Sequence, residues 1–453
     1  MQNFLHLPRK SKPFLAAWAL LVLTTAISFT DAQAVPSFTR QTGAACSQCH
    51  TQSFGPNLTP FGRDFKLGGY TMTGGSGANA NLPPISAMIE GSLTHTDKDQ
   101  DPANFDQAGY DKNDNFTFDQ ASLFYAGKVY GKVGAFSQFT YDGYADGVAW
   151  DNADIRYSDQ TELMDKPITY GISLNNSPTV QDLWNTTAAW GFPYNGSALQ
   201  PGIATAALID GALGTSQVGG ATAYTMIDNL LYLEAGAYDS FSNDLQGALA
   251  GAVPGGYIKL DGPAPYWRTA LQYDTKGHFF AVGHYGMSAD VLLPNTLGDA
   301  SNGADHYTDI AFDATYQYMA NPKHIFEVKT TFIHENQNLS VSRNGGTGNT
   351  ELDTFKFNGA YTFDQTYGVT FAYNKLYGSR NGNVYPDSVS FKPNSEYYTA
   401  ELVYVPFGKS GSAWAPWLNL RTSLQYIGYS QFDGATQFVN GNNTFMLNGW
   451  LAF

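Results

Sequence analysis

From residue 445 to the end of the chain, apolar and polar positions alternate. Phe445, Leu447, Gly449, Leu451 and Phe453 share one face, and Met446, Asn448, Trp450 and Ala452 share the other. A period of two is the signature of an extended strand, and a strand that is apolar outward and ends in Phe suits a barrel wall facing lipid. The pattern recurs at Ile85, Ala87, Ile89, Gly91 and Leu93, at Phe326, Val328, Thr330 and Phe332, and at Phe355, Phe357, Gly359, Tyr361 and Phe363. The opposite faces of these runs carry Glu90, Glu327, Lys329 and Lys356, which predicts a polar lumen.

Runs of this kind predict strands near 85–96, 116–130, 133–144, 168–176, 223–238, 265–274, 278–288, 306–318, 324–335, 353–364, 367–376, 395–406, 416–428 and 442–453. Short connections fall at Gly131-Lys132, Thr275 to Gly277, Met319 to Lys323, Gln365-Thr366 and Phe407 to Ala415. Long ones fall at Asp97 to Asn115, Ala145 to Pro167, Asp239 to Ala264, Ala289 to Asp305, Asn336 to Leu352, Tyr377 to Asn394 and Tyr429 to Gly441. Alternating short turns and long loops predict an all-β fold, a transmembrane antiparallel β-barrel with both termini in the periplasm. The stretch Ser177 to Thr222 is too long for a turn, and two more strands within it would bring the barrel to about sixteen strands.

Composition agrees. Charged residues make up 14% of the 453, against about 25% in ordinary soluble domains, and 47 Gly, 29 Tyr and 30 Phe favour strands and turns. A mean hydropathy of −0.27 excludes a bundle of membrane helices. The one long apolar stretch, Phe14 to Ser28, follows Arg9, Lys10 and Lys12 and precedes Ala32-Gln33-Ala34, the arrangement of a secretory signal peptide spanning 1–34. Cutting after Ala34 removes three basic residues and Asp31, which takes the formal charge from −15 to −17. That balance disfavours nucleic acid and weakly favours a cation as ligand or substrate.

The only two cysteines, Cys46 and Cys49, are separated by two residues and followed at once by His50. An exported protein usually spends cysteines on disulfides, but this spacing is that of covalent haem c attachment, with the adjacent His as proximal iron ligand. A thioredoxin-like pair needs a βαβ context, and a zinc site needs two further ligands with no Cys left to supply them. For the second axial position Met72 is nearest in the chain, with Met88, His95 and Met164 behind it. Residues 35–81 then form a monohaem cap ahead of a barrel spanning 82–453. The cap is too small to build a core alone, so it is expected against or inside the barrel.

The cap resembles the fused monohaem cytochrome c-porins of the outer membrane of iron-oxidising bacteria. The resemblance is carried by Val35-Pro36-Ser37-Phe38, Arg40-Gln41-Thr42-Gly43, Cys46-Ser47-Gln48-Cys49-His50, Leu58-Thr59-Pro60-Phe61-Gly62-Arg63, Phe65-Lys66-Leu67 and Gly69-Tyr70. Asn175 to Asn185 and Trp190 to Tyr194 also look familial, whereas Thr51 to Pro56 fits the pattern least well. The resemblance implies covalent haem on Cys46 and Cys49, His50 as proximal ligand, and oxidation of extracellular Fe(II), with electrons passed to a periplasmic carrier. An electron-exporting conduit and a solute porin with a structural haem plug remain as alternatives. The acidic loop Asp97, Asp99, Asp101, Asp106, Asp111 and Asp114 suits a hard cation, and equally a solvated surface. Trp184 and Trp190 suit either the lumen near haem or an interfacial girdle.

Overall fold

A computed structural model describes residues 35–74, 82–100, 109–203, 205–251, 257–292, 303–340 and 348–453. The expected signal peptide, Asp101 and Asp106 lie outside the described residues.

The strands, in chain order, are β1 (Ile85–Thr96), β2 (Asn115–Tyr130), β3 (Val133–Asp142), β4 (Gly147–Leu163), β5 (Lys166–Asn175), β6 (Val218–Ile227), β7 (Leu231–Ser240), β8 (Lys259–Leu260), β9 (Ala264–Thr275), β10 (His278–Leu292), β11 (Asp305–Asn321), β12 (His324–Asn338), β13 (Thr350–Phe363), β14 (Tyr367–Gly378), β15 (Ser395–Tyr404), β16 (Asn419–Gln431) and β17 (Thr444–Ala452). Every pairing is antiparallel. β8 is a two-residue strand beside β10, β7 pairs directly with β9, and β1 pairs with both β2 and β17. The result is a closed ring of sixteen strands. Closure satisfies every strand's backbone groups within the wall, the condition for crossing hydrocarbon with strands.

The predicted faces hold. On β17 the residues Met446, Asn448 and Ala452 are buried in the lumen while Phe445 and Leu447 are exposed on the exterior, and on β12 Glu327 and Lys329 point inward between outward Phe326 and Val328. Tyr130, Tyr273, Tyr367 and Tyr404, all exposed, stand near the short-turn end of the wall, and Tyr367 stacks on Tyr404 with ring centroids 5.3 Å apart. An apolar outer band with aromatics at its edge marks a porin-like barrel of the outer membrane.

Three expectations need correction, although together they leave the strand count at sixteen. Ala145 to Pro167 is not a long loop: it contains β4, which returns to β5 through the two-residue turn Met164-Asp165, both residues at positive φ (52° and 58°). The run 223–238 is not one strand but the end of β6 and most of β7, joined at Asp228-Asn229-Leu230, with Asp228 and Asn229 also left-handed (φ 56° and 51°). The two extra strands therefore do not come from Ser177 to Thr222. The described residues of 176–217 contain no strand; they enter the lumen, where Thr179, Val180, Gln181, Asp182, Leu183 and Trp184 are all buried.

The corrected topology puts Met164-Asp165 at the same end of the barrel as Gly131-Lys132, opposite the 97–114 loop. An epitope tag inserted at 164–165 should stay unlabelled on intact cells, like one at 131–132, while a tag in the 97–114 loop is labelled. Labelling at 164–165 would restore the long-loop assignment.

Candidate functional site

The segment before the barrel folds into three short helices inside its short-turn end. Helix α1 (Pro36–Thr42) starts with Pro at its first turn, where the missing N–H costs nothing, and stops at Gly43 (φ 73°), whose N–H donates to Thr39 O at 2.7 Å. Helix α2 (Cys46–Cys49) is a single turn; Gln48 Oε1 accepts from Ala45 N at 2.7 Å. Helix α3 (Pro60–Leu67) is capped by Thr59, whose hydroxyl accepts from Gly62 N at 3.2 Å. A side chain at Gly62 would collide with the backbone carbonyl of Cys49, so only glycine lets α3 pack on the cysteine turn.

The barrel holds this plug through its buried backbone carbonyls and polar side chains. The Leu58 carbonyl accepts from Arg63 Nη1 (2.7 Å) and Gln317 Nε2 (2.8 Å), and the Leu67 carbonyl accepts from Ser158 Oγ (3.0 Å) and Tyr224 OH (2.8 Å). Tyr70 OH donates to Asp154 at 2.6 Å, and Asn419 Nδ2 donates to Ser53 O at 3.0 Å and lies 3.3 Å from Cys46 Sγ. Lys66 Nζ donates to Val180 O (2.9 Å), Asp182 O (2.6 Å) and Asn185 Oδ1 (3.1 Å), which ties plug and inserted segment together. Lys329 closes the junction, donating to Asn57 Oδ1 at 2.7 Å and Asn185 O at 3.1 Å.

Between plug, inserted segment and wall lies a cavity of about 300 Å³. The plug contributes Cys46, Cys49 and His50 with Phe38, Phe54 and Phe65; the inserted segment contributes Trp190 and Tyr194; the wall contributes Met88, Phe124, Phe136, Trp450 and Ala452. The rings interlock edge to face, with Phe54 and Trp450 4.7 Å apart and Phe38 and Phe65 4.9 Å apart. Burial pushes the Cys49 thiol up to about 12 and lowers the His50 imidazole to about 4. His50 is therefore neutral across the physiological range, and its buried Nδ1 has no hydrogen-bond partner among the described residues. An uncharged imidazole and the protonated Cys49 thiol, with Cys46 beside them, thus face one mostly apolar space.

The structure brings Cys46, Cys49 and His50 to that space and sends other sequence candidates elsewhere. Met72, nearest in the chain, does not line the cavity: it is 40% exposed beyond the end of α3. Met164 sits on a turn at 87% exposure, and His95 is exposed on β1, paired with Asp114 at 2.7 Å. Met88, on the inward face of β1, does line the cavity. Both tryptophans are in the lumen rather than a girdle. Trp190 lines the cavity and donates to Val180 O at 2.8 Å, while Trp184 packs under Arg268 and donates to Gln272 at 3.1 Å. Sequence reasoning missed Arg156, Arg268 and Arg421, each fully buried and each paired with a lumen carboxylate. For Arg156 and Arg421 the signal is an Arg on the polar face of a barrel strand two residues from an inward Asp or Ser, as in Asp154-Ile155-Arg156 and Arg421-Thr422-Ser423, whereas Arg268 stands between Tyr266 and Ala270 with no such mark.

No family model and no curated protein matches the chain. Solved structures similar to it include the outer-membrane channel DcaP of Acinetobacter baumannii (12% identity, 82% of this chain and 96% of that one, TM-score 0.46), OmpF of Salmonella typhi in complex with daunomycin (13%, 82% and 97%, 0.45) and OprB of Pseudomonas putida (14%, 82% and 94%, 0.45). At such values the likeness carries no argument, and the barrel architecture rests on the strand pairing alone.

Replacing Lys66 by Met should loosen the plug, since three buried oxygens lose their donor, each at about 1–3 kcal/mol. Protease cleavage within 35–74 and a rise in single-channel conductance should follow. Wild-type resistance in K66M would mean that the lysine anchors nothing.

Proposed function

We propose that this chain is an outer-membrane electron-transfer barrel. A single haem c is attached through Cys46 and Cys49 with His50 as proximal ligand, extracellular Fe(II) is the electron donor, and a periplasmic electron carrier such as a cytochrome is the acceptor. The observation that carries this reading is the convergence of two thiols and one imidazole on a single, mostly apolar cavity. Cys46 and Cys49 are three residues apart on one helical turn, so they share a face. His50 follows in extended conformation (φ −124°), bridged to Leu58, and is neutral as an iron ligand must be. The donor set and its surroundings therefore fit the group.

Bound there, haem c supplies a one-electron iron couple. The chain's own residues do the rest. Phe54, Phe124, Phe136 and Trp450 exclude water and keep the local dielectric low, which disfavours the more highly charged ferric state and raises the potential. Asn419 bonds the start of the following loop through Ser53 and steadies the cysteine turn beside it. At the long-loop end Asp97, Asp99, Asp111 and Asp114 are exposed carboxylates, the ligand type that suits a hard divalent cation. The plug and the inserted 176–217 segment occupy the lumen, so electrons, rather than iron, are what this barrel is built to pass.

Denaturing electrophoresis with haem staining should give a band in the wild type and none in a Cys46→Ala/Cys49→Ala double variant. Stopped-flow mixing of the ferric protein with Fe(II) without oxygen should reduce the haem within the mixing experiment. A haem that stays ferric in a barrel that conducts solutes would sink the electron-transfer reading. His50→Ala should keep the stained band and change the Soret spectrum, and an unchanged spectrum would remove His50 from the iron.

A further inference from the structure

Met88 is the second residue of β1 to point into the lumen, is 5% exposed, and lines the same cavity as Cys46, Cys49 and His50. Its sulfur is not idle. The indole N–H of Trp450 donates to Met88 Sδ at 3.0 Å, and Trp450 is itself held edge to face against Phe54 of the plug at 4.7 Å. A flexible thioether is thereby fixed in one orientation, with one lone pair engaged and the other available.

We propose that β1 supplies the second axial ligand to the iron held by His50, through Met88 Sδ, and that Trp450 is the residue that positions it. The proposal rests on the haem reading above. Chemistry favours it because a thioether is a soft neutral donor, and a His/Met pair is the ligation that raises a haem potential. Elimination favours it too. The other cavity side chains able to bind iron have their polar heads engaged: Glu90 accepts from Gln120 at 2.7 Å, Asp151 accepts from Thr140 at 3.2 Å, Tyr70 donates to Asp154 at 2.6 Å, Tyr194 donates to Asn57 at 2.6 Å, and Lys66 spends its three protons on three oxygens.

The location gives the ligand a second meaning. Met88 is register partner of Ala452 and Glu90 of Trp450, so ligand and positioning residue face each other across the β1–β17 seam that closes the barrel. Trp450 can bridle the sulfur only when the first and last strands have met. The potential of the iron therefore reports closure of the wall.

The test uses the full-length protein in detergent. Ferric wild type should show the near-infrared sulfur-to-iron charge-transfer band, and the reduced protein should resist carbon monoxide. Met88→Leu, nearly equal in volume, should keep the haem-stained band and the barrel circular dichroism, lose the near-infrared band and bind carbon monoxide readily. Met88→His should return a low-spin spectrum with a lower potential, and decides the matter if the leucine variant does not fold. Trp450→Phe should keep the band and lower the potential, because the unbridled sulfur donates more strongly to ferric iron. A haem-stained Met88→Leu protein with the wild-type spectrum would overturn the ligand assignment and leave the haem reading standing. A wild type without covalent haem would overturn both.

Discussion

A strand lying in hydrocarbon can satisfy its backbone only on another strand, so this chain depends on the seam where β17 meets β1. Nine register pairs run from Met88 with Ala452 to Thr96 with Thr444, and Ala87 and Phe453 extend the seam by exchanging both backbone bonds, at 2.7 and 2.8 Å. Closing sixteen strands carries a consequence for the interior. A ring that wide leaves a lumen that wall side chains alone do not fill, so its contents must come from elsewhere in the chain. Here they come from the N-terminal plug and from residues 176–217.

Filling a barrel with irregular backbone creates a polar problem, because loops and short helices bring carbonyls that no strand pairs. The wall answers with buried cations. Arg156 holds Asp154 (2.6 Å) and donates to the Gln181 carbonyl; Arg268 holds Asp313 (2.6 Å) and reaches Asp182 of the inserted segment at 3.4 Å; Arg421 holds Glu401 (2.7 Å) and donates to Asn195 Oδ1 at 3.1 Å. Such pairs contribute little net stability, but removing one partner strands a buried charge at about 3–5 kcal/mol. Their effect is to admit one seating of the inserted pieces and penalise the others.

The outer face of this wall was readable in the sequence because lipid accepts only apolar side chains, so Phe326, Val328, Phe445 and Leu447 alternate without ambiguity. The inner face was readable only as polar, since its residues answer to whatever fills the lumen. That is why β4 was hidden: Asp151, Asn152, Asp154 and Asp159 look like loop composition, although Asp154 and Arg156 are fully buried against plug and insert. The β6–β7 hairpin was hidden for a local reason, because Asp228-Asn229 adopts the left-handed turn without the glycine that usually announces it. The thiols and His50 were legible because their chemistry is written in three adjacent positions. Met88 and Trp450 were not, because what brings them together is closure, a contact between strands 362 residues apart in the chain.

The cavity has walls from plug, insert and both ends of the barrel, so it does not exist as an enclosed space until the seam has formed. In the finished structure Cys46 is buried and the half-buried Cys49 faces the cavity from inside the lumen with its thiol pushed up to about 12, so both sulfurs lie behind the wall and almost none of Cys49 is thiolate at neutral pH. On the haem reading, attachment therefore has to happen before β1 meets β17, while the cysteine turn is still open to solvent. The order then follows from packing alone. The loaded plug offers β1, β17 and the 176–217 segment an apolar surface to close around, and the closed wall in turn dries the site. Plug and barrel are each too incomplete to finish alone, the one lacking a core and the other a filling, and each supplies what the other lacks.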